Sequence, residues 1–136
     1  MALFNIFDIA GSGMSAQSVR LNLVSSNLAN ADSVAGSPDE AYKARHPVFQ
    51  AALMEAMDSN SSGVVTRGVI ESQSEPEQRY QPNHPMADEN GYVYVSNVDP
   101  VAEMTNMISA SRSYQNNVQV LDTVKDLMLR TLRLGE

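Results

Sequence analysis

His46 and His84 are the only histidines in the chain, and there is no cysteine. Each histidine precedes a proline, in "RHPV" and "NHPM". A zinc site would need further ligands from Asp or Glu, and the helical His-x-x-x-His spacing is absent. Turn or surface positions suit both histidines better. Without cysteine there is no thiolate nucleophile, no disulfide and no Cys-ligated zinc. "GSGMSA", residues 11–16, spells G-x-G-x-x-A, and Asp32 follows where a ribose contact would fall. That chemistry needs a preceding strand and a βαβ unit, whereas this stretch sits inside a helical pattern. "MADENG", residues 86–91, puts Met86 and Asn97 where a calcium loop needs Asp and Glu. A β-turn in which Asn90-Gly91 supplies the positive φ is the better assignment. "NSS" at 60–62 is a glycosylation sequon by spelling alone. Serines are plentiful, but no G-x-S-x-G or Ser-x-x-Lys motif occurs. With no nucleophile beside a base, no paired acid and base and no phosphate loop, we expect neither an enzyme nor a cofactor-binding protein.

The totals narrow the classes further. A chain of 136 residues is by default one domain. Charged residues make up only 18% of it, and Ser, Asn and Gln fill the polar share. Aromatics are 6% and Trp is absent, so one large core is not expected. The net charge is −7 and the basic residues are scattered, with only Arg130 and Arg133 close together. A nucleic-acid partner calls for a basic face, so none is expected. No apolar run is long enough for a membrane span. The opening "MALFNIF" carries no basic residue and Asp8 interrupts it, so no cleavable secretion signal is expected. Such a protein stays in the cytoplasm unless a route independent of that signal exports it.

Residues 3–31 repeat at helical period. Phe7, Met14, Leu21 and Leu28 fall seven apart, and Ala10, Val24 and Ala31 occupy the line three later, with Gln17 as the polar exception. Gly11 and Gly13 mark a kink or a close helix approach. "DSVAGSPDE", 32–40, is a loop. From 41 to about 100 the chain changes to short β-branched or aromatic runs. "AYKARHPVF", "GVVTRGVIE" and "YVYVS" read as strands, and "EQRYQ" is a weaker candidate. The intervening "QAALMEAMDSNSSG" begins as strand or helical turn and ends as a loop. These pieces predict a small, mostly antiparallel β unit. Asp99 then caps a second helix, with Pro100 at its first position and Glu103 at the positive end of its dipole. In that helix Met107, Tyr114, Leu121 and Met128 are again seven apart, with Ala110, Val124 and Thr131 at the offset positions.

The expected fold is therefore α+β. Long N- and C-terminal helices pair with each other, and a small antiparallel β-rich segment lies between them. The expected division is 1–32 with 100–136 as a discontinuous helical domain, and 33–99 as the middle domain. A helix face that meets only water is usually rich in Lys and Glu. Here the faces away from the seams are Ser, Asn, Gln and Thr, which lose less on leaving water than charges do. They suit packing against other polar helices. Asn27, Asn30, Asn116 and Asn117 are accordingly assigned to a polar face between subunits. The eight seam residues, Phe7, Met14, Leu21, Leu28, Met107, Tyr114, Leu121 and Met128, are assigned to the assembly seam. The competing possibility is a self-contained α+β binding module with a pre-formed apolar pocket for a peptide or small ligand.

"MALFNIFDIAGSGMSAQSVRLNLVSSNLANADS" resembles the N-terminal signature of bacterial flagellar rod and hook proteins. "YKARHPVFQ" and the run from "VIESQSEPEQRYQPNHP" to "LMLRTLRLG" resemble the proximal-rod members of that family, as does the short length. The resemblance covers essentially the whole chain and is weakest over 53–63. It implies a structural subunit whose terminal helices form a coiled-coil-like inner domain. Copies would stack helically around the export channel and help to transmit torque from motor ring to hook. It implies export through the flagellar type III apparatus into the periplasm. The partners implied are copies of the chain, neighbouring proximal rod subunits, the rod–membrane-ring adaptor and the distal rod. Leu21→Asp or Leu121→Asp is expected to block rod completion, whereas His46→Ala and His84→Ala should leave swimming intact. Motility plates and electron microscopy of basal bodies check this, and normal swimming by Leu121→Asp would count against the seam.

Overall fold

The computed structural model describes residues 2–53 and 62–134. Two helices carry the fold: α1, Ala2–Ala29, and α2, Pro100–Leu134. They run antiparallel. Gly13 meets Asn117, Arg20 meets Asn106 and Asn27 meets Glu103, so one index rises as the other falls. The start of α2 is set as its sequence demands. Asp99 Oδ1 accepts the N–H groups of Val101 and Ala102 at 2.9 and 3.2 Å, and Pro100 opens the helix where its missing N–H costs nothing. The end of α1 consumes its own polar residues. Asn30 Nδ2 donates to the Ser26 carbonyl at 2.8 Å, and Ser33 Oγ donates to the Asn30 carbonyl at 2.8 Å. Each carbonyl also accepts a backbone N–H, from Asn30 at 3.2 Å and from Ser33 at 3.1 Å, so the side chains reinforce the turn that closes the helix.

Among the described residues the segment between the helices holds five strands in two antiparallel sheets, the small antiparallel β segment expected from the sequence. β1, Val34–Ala35, lies inside the stretch expected to be a loop. It pairs antiparallel with β5, Tyr92–Val95, which also pairs with β4, Glu77–Tyr80, in the order β1-β5-β4. On β5, Val93 and Val95 are buried while Tyr92 is exposed, as alternation requires. β2, Arg45–Leu53, and β3, Ser62–Glu71, form a separate antiparallel hairpin. "QAAL" is thus strand, and residues 54–61 of the following loop expectation lie outside the described residues. The register steps from Val48↔Gly68 to Phe49↔Thr66, so Arg67 is the extra residue of a bulge. The hairpin lies along α1, where the Val64 N–H donates to Ser12 Oγ at 3.1 Å. The loop from β4 to β5 ends in the expected turn, with Gly91 at φ +82°.

The core is small. Ala31, Ala44 and Val98 cluster beneath Tyr42, and the largest fully buried side chains are Val93 and Asn27. The accessible surface is 9373 Å². A compact protein of 14.8 kDa would show roughly 7,000 Å². The helices come close at Gly13. A Cβ on Gly13 would lie 2.8 Å from Asn117 Nδ2, whereas one on Gly11 would meet nothing within 4 Å. Of the two glycines, Gly13 is therefore the close approach. Gly11→Ala is expected to raise stability by about 1 kcal/mol through helix propensity. Gly13→Ala should gain clearly less, because the methyl must push the Asn117 amide aside. Urea denaturation of the two variants checks the difference.

Candidate assembly interface

The polar residues at the end of α1 build a buried hydrogen-bond network. Asn27 is 0% exposed. Its Nδ2 donates to the Arg45 carbonyl at 2.9 Å and to Glu103 Oε2 at 3.0 Å. Its Oδ1 accepts the Arg45 N–H at 2.9 Å and the Tyr42 hydroxyl at 3.0 Å. Both donors and both lone pairs are used, the most one amide can do. The buried Glu103 also accepts from Asn106 Nδ2 at 3.4 Å, and Asn106 Oδ1 accepts from Arg20 at 3.0 Å. Ser26 Oγ and the Tyr42 hydroxyl lie 3.2 Å apart. Arg45 sits over the Tyr42 ring at 5.7 Å and pairs with Glu71 at 3.3 Å, which fixes the start of the hairpin. One amide thus ties together the end of α1, the start of β2 and the first turn of α2.

Asn27 therefore finds all its partners in its own chain, while Asn30, half-buried, makes one side-chain bond there, to Ser26. Asn117 is half-buried opposite Gly13, again inside the chain. Asn116 alone of the four is exposed. The eight seam residues, Phe7, Met14, Leu21, Leu28, Met107, Tyr114, Leu121 and Met128, are all half-buried. The innermost line is instead the offset one: Ala10 and Val24 on α1, Ala31 in the turn that follows it, and Ala110 and Val124 on α2. Small residues occupy the contact, and the long ones are left at its edges. Gln17 interrupts the line on α1, and its buried Oε1 has no hydrogen-bond partner. Sequence reasoning missed Glu103 as a core residue. The signal was present, since a carboxylate in the first turn of a buried helix end must find donors.

Large apolar side chains remain uncovered on several surfaces. Val101, Met104 and Ile108 recur on the side of α2 away from Glu103, with Val101 at 73% exposure. Leu129 and Leu132 are exposed in its last turns, Leu132 at 70%. An open groove of about 440 Å³ runs between Ile6, Asn116, Gln119, Val120, Thr123 and Val124. It is a seam between two helices, not an enclosed cavity that would bury a ligand. His84 Nδ1 accepts the Met86 N–H at 3.1 Å, which is a turn role. Among the described residues no three His, Asp or Glu side chains gather as a metal site would require. No helix there is long and apolar enough to cross a membrane.

An antiparallel pair of terminal helices around a small β segment, with apolar surface left over, is the build of an assembly subunit. Two family models match the helical ends. Residues 7–36 match "Flagella basal body rod protein", and residues 89–134 match "Flagellar basal body rod FlgEFG protein C-terminal". The chain is a structural rod protein of the flagellar basal body and not an enzyme. It is 55% identical over 136 residues to the flagellar basal-body rod protein FlgC of Salmonella typhimurium and equally to that of Escherichia coli. It is 52% identical to that of Yersinia enterocolitica, and each match covers all of both chains. The chain belongs to the FlgC family.

The network makes a stability prediction. Asn27→Ala takes from the Arg45 peptide and from one oxygen of Glu103 their Asn27 partner, and leaves the Tyr42 hydroxyl only Ser26. The expected loss is about 3 kcal/mol or more. Asn30→Ala, which removes one partly buried bond, should cost about 1 kcal/mol. Urea denaturation followed by circular dichroism measures both.

Proposed function

We propose that the chain is a subunit of the proximal rod and polymerises helically around the export channel. The inner, assembly domain is 1–32 together with 100–136, and 33–99 forms the outer unit. The seam residues at the edges of the helix pair are completed by neighbouring subunits, and the Ser, Asn and Gln faces meet neighbours or line the channel. The partners are copies of the chain, adjoining proximal rod proteins, the rod–membrane-ring adaptor and the distal rod. The subunit leaves through the flagellar type III apparatus, takes its place in the periplasm and helps to carry torque from motor ring to hook.

The observation that carries this proposal is the match to FlgC proteins over the whole chain, together with the apolar surface the lone chain leaves open. Val101, Met104, Ile108, Leu129 and Leu132 would not stay in water if a partner could cover them. Deleting the gene is expected to leave the membrane ring and export machinery while no completed rod forms. Isolated basal bodies viewed by electron microscopy check this. A motile deletion strain with intact rods would overturn it.

A further inference from the structure

Asn90 and Gly91 are neighbours in the loop that joins β4 to β5. Asparagine before glycine is the least hindered setting for attack by a backbone nitrogen on the preceding side chain, because glycine has no Cβ to shield that nitrogen. The reaction needs only water. The Gly91 nitrogen gives up its proton and bonds to Asn90 Cγ. The Cγ–Nδ2 bond breaks, and ammonia leaves with a proton. Water then opens the cyclic imide at either carbonyl, adding hydroxyl to that carbon and hydrogen to the ring nitrogen. The product is aspartate, or isoaspartate with the backbone rerouted through the side chain. Asn90 is exposed, so water reaches it.

The folded loop opposes the first step. The Gly91 N–H donates to the Asp88 carbonyl at 3.0 Å, which occupies the attacking nitrogen. Asp88 Oδ1 accepts the N–H groups of Tyr92 and Asn90 at 2.8 and 2.9 Å, and the Asp88 N–H donates to the Tyr92 carbonyl at 2.8 Å. The Tyr92 N–H above all holds the Asp88 carboxyl below its ordinary range, so the acceptor stays ionised. On its other side Gly91 is crowded, since a Cβ there would lie 3.0 Å from Tyr80 and 3.1 Å from Pro82. The peptide planes on both sides of Asn90 are thereby fixed, and the nitrogen cannot turn onto Cγ until the loop opens.

We infer that Asn90 is a latent site of spontaneous deamidation and isoaspartate formation, and that Asp88 is the residue that keeps it closed. The modification would have a structural consequence. Isoaspartate adds a backbone carbon to the loop that sets Tyr80 opposite Tyr92, the register in which Val93 and Val95 turn inward. The test is to incubate the purified full chain at mildly alkaline pH, native and in urea, and map the peptides by mass spectrometry for unit mass gain and isoaspartate at position 90. Native protein is expected to deamidate there about tenfold more slowly, or slower still, than the chain in urea, because the loop must first open. Asp88→Ala should move the native rate towards the urea rate, whereas Asp88→Asn, which keeps Oδ1 as an acceptor, should stay near wild type. Equal native and denatured rates in the wild-type chain would overturn the inference. So would a folded Asp88→Ala chain that deamidates no faster than wild type. If Asp88→Ala does not fold, the wild-type comparison decides alone.

Discussion

The fold depends on one buried amide. Asn27 stands where the end of α1, the entry to β2 and the first turn of α2 converge, and it satisfies a group from each. A leucine there would bury more apolar surface but would strand the Arg45 peptide and the Glu103 carboxylate away from water. Such orphaned groups cost more than the added burial returns. The position therefore requires a side chain that both donates and accepts, short enough to stay inside. Geometry follows from this. The bonds of an amide are directional, so Asn27 sets the angle at which the hairpin leaves the helices as well as the distance between them.

From that fixed end the helix pair runs out along a line of small residues. Ala10, Val24, Ala110 and Val124 let the backbones approach closely, and Gly13 admits the Asn117 amide. Close approach leaves no room between the axes for Phe7, Met14, Tyr114 or Met128. These lie along the rims, half in water. A pair built this way is thin. It lacks the wide apolar layer that makes a helical bundle stable alone, and the buried oxygen of Gln17 goes without a partner. The same construction leaves a ready surface on both sides of the pair, which suits a rod subunit surrounded by others.

Much of this was legible in the sequence, and the losses have physical reasons. The seven-residue spacing marks both helices, and Asp99-Pro100 marks the start of α2, because those signals are local. The spacing does not say which of two lines is innermost. The lines through Leu21 and through Val24 are only about 60° apart around the helix. Side-chain size decides between them, through how closely the partner can come. Asn27 was hidden among Ser25, Ser26 and Asn30, where an amide looks like one more polar surface residue. Its role depends on Arg45 and Glu103, and no periodicity connects those three positions. β1 is two residues long and owes its existence to β5, so nothing within "DSVAG" announces it. How the strands divide between two sheets was not legible, because strand patterns show which face turns inward but not which strand is the partner.

The face of α1 turned away from both α2 and the hairpin shows how a subunit can be prepared for neighbours without becoming sticky. Gly11, Ser15, Ser18, Asn22, Ser25 and Ala29 recur there at three- and four-residue spacing, and all are exposed. None carries a charge, so none holds its water strongly. None is large, so another helix can lie close against the backbone. In water the hydroxyls and amides keep the face soluble, and against a polar helix they exchange hydrogen bonds with little loss. Charged residues in their place would raise solubility and resist packing; leucines would do the reverse. The start of α2 makes the opposite choice with Val101, Met104 and Ile108, whose exposure is costly until they are covered. The two helices thus expose different surfaces over these stretches, small and neutral on α1 from Gly11 to Ala29 and apolar at the start of α2, while Phe4 near the start of α1 is exposed as well.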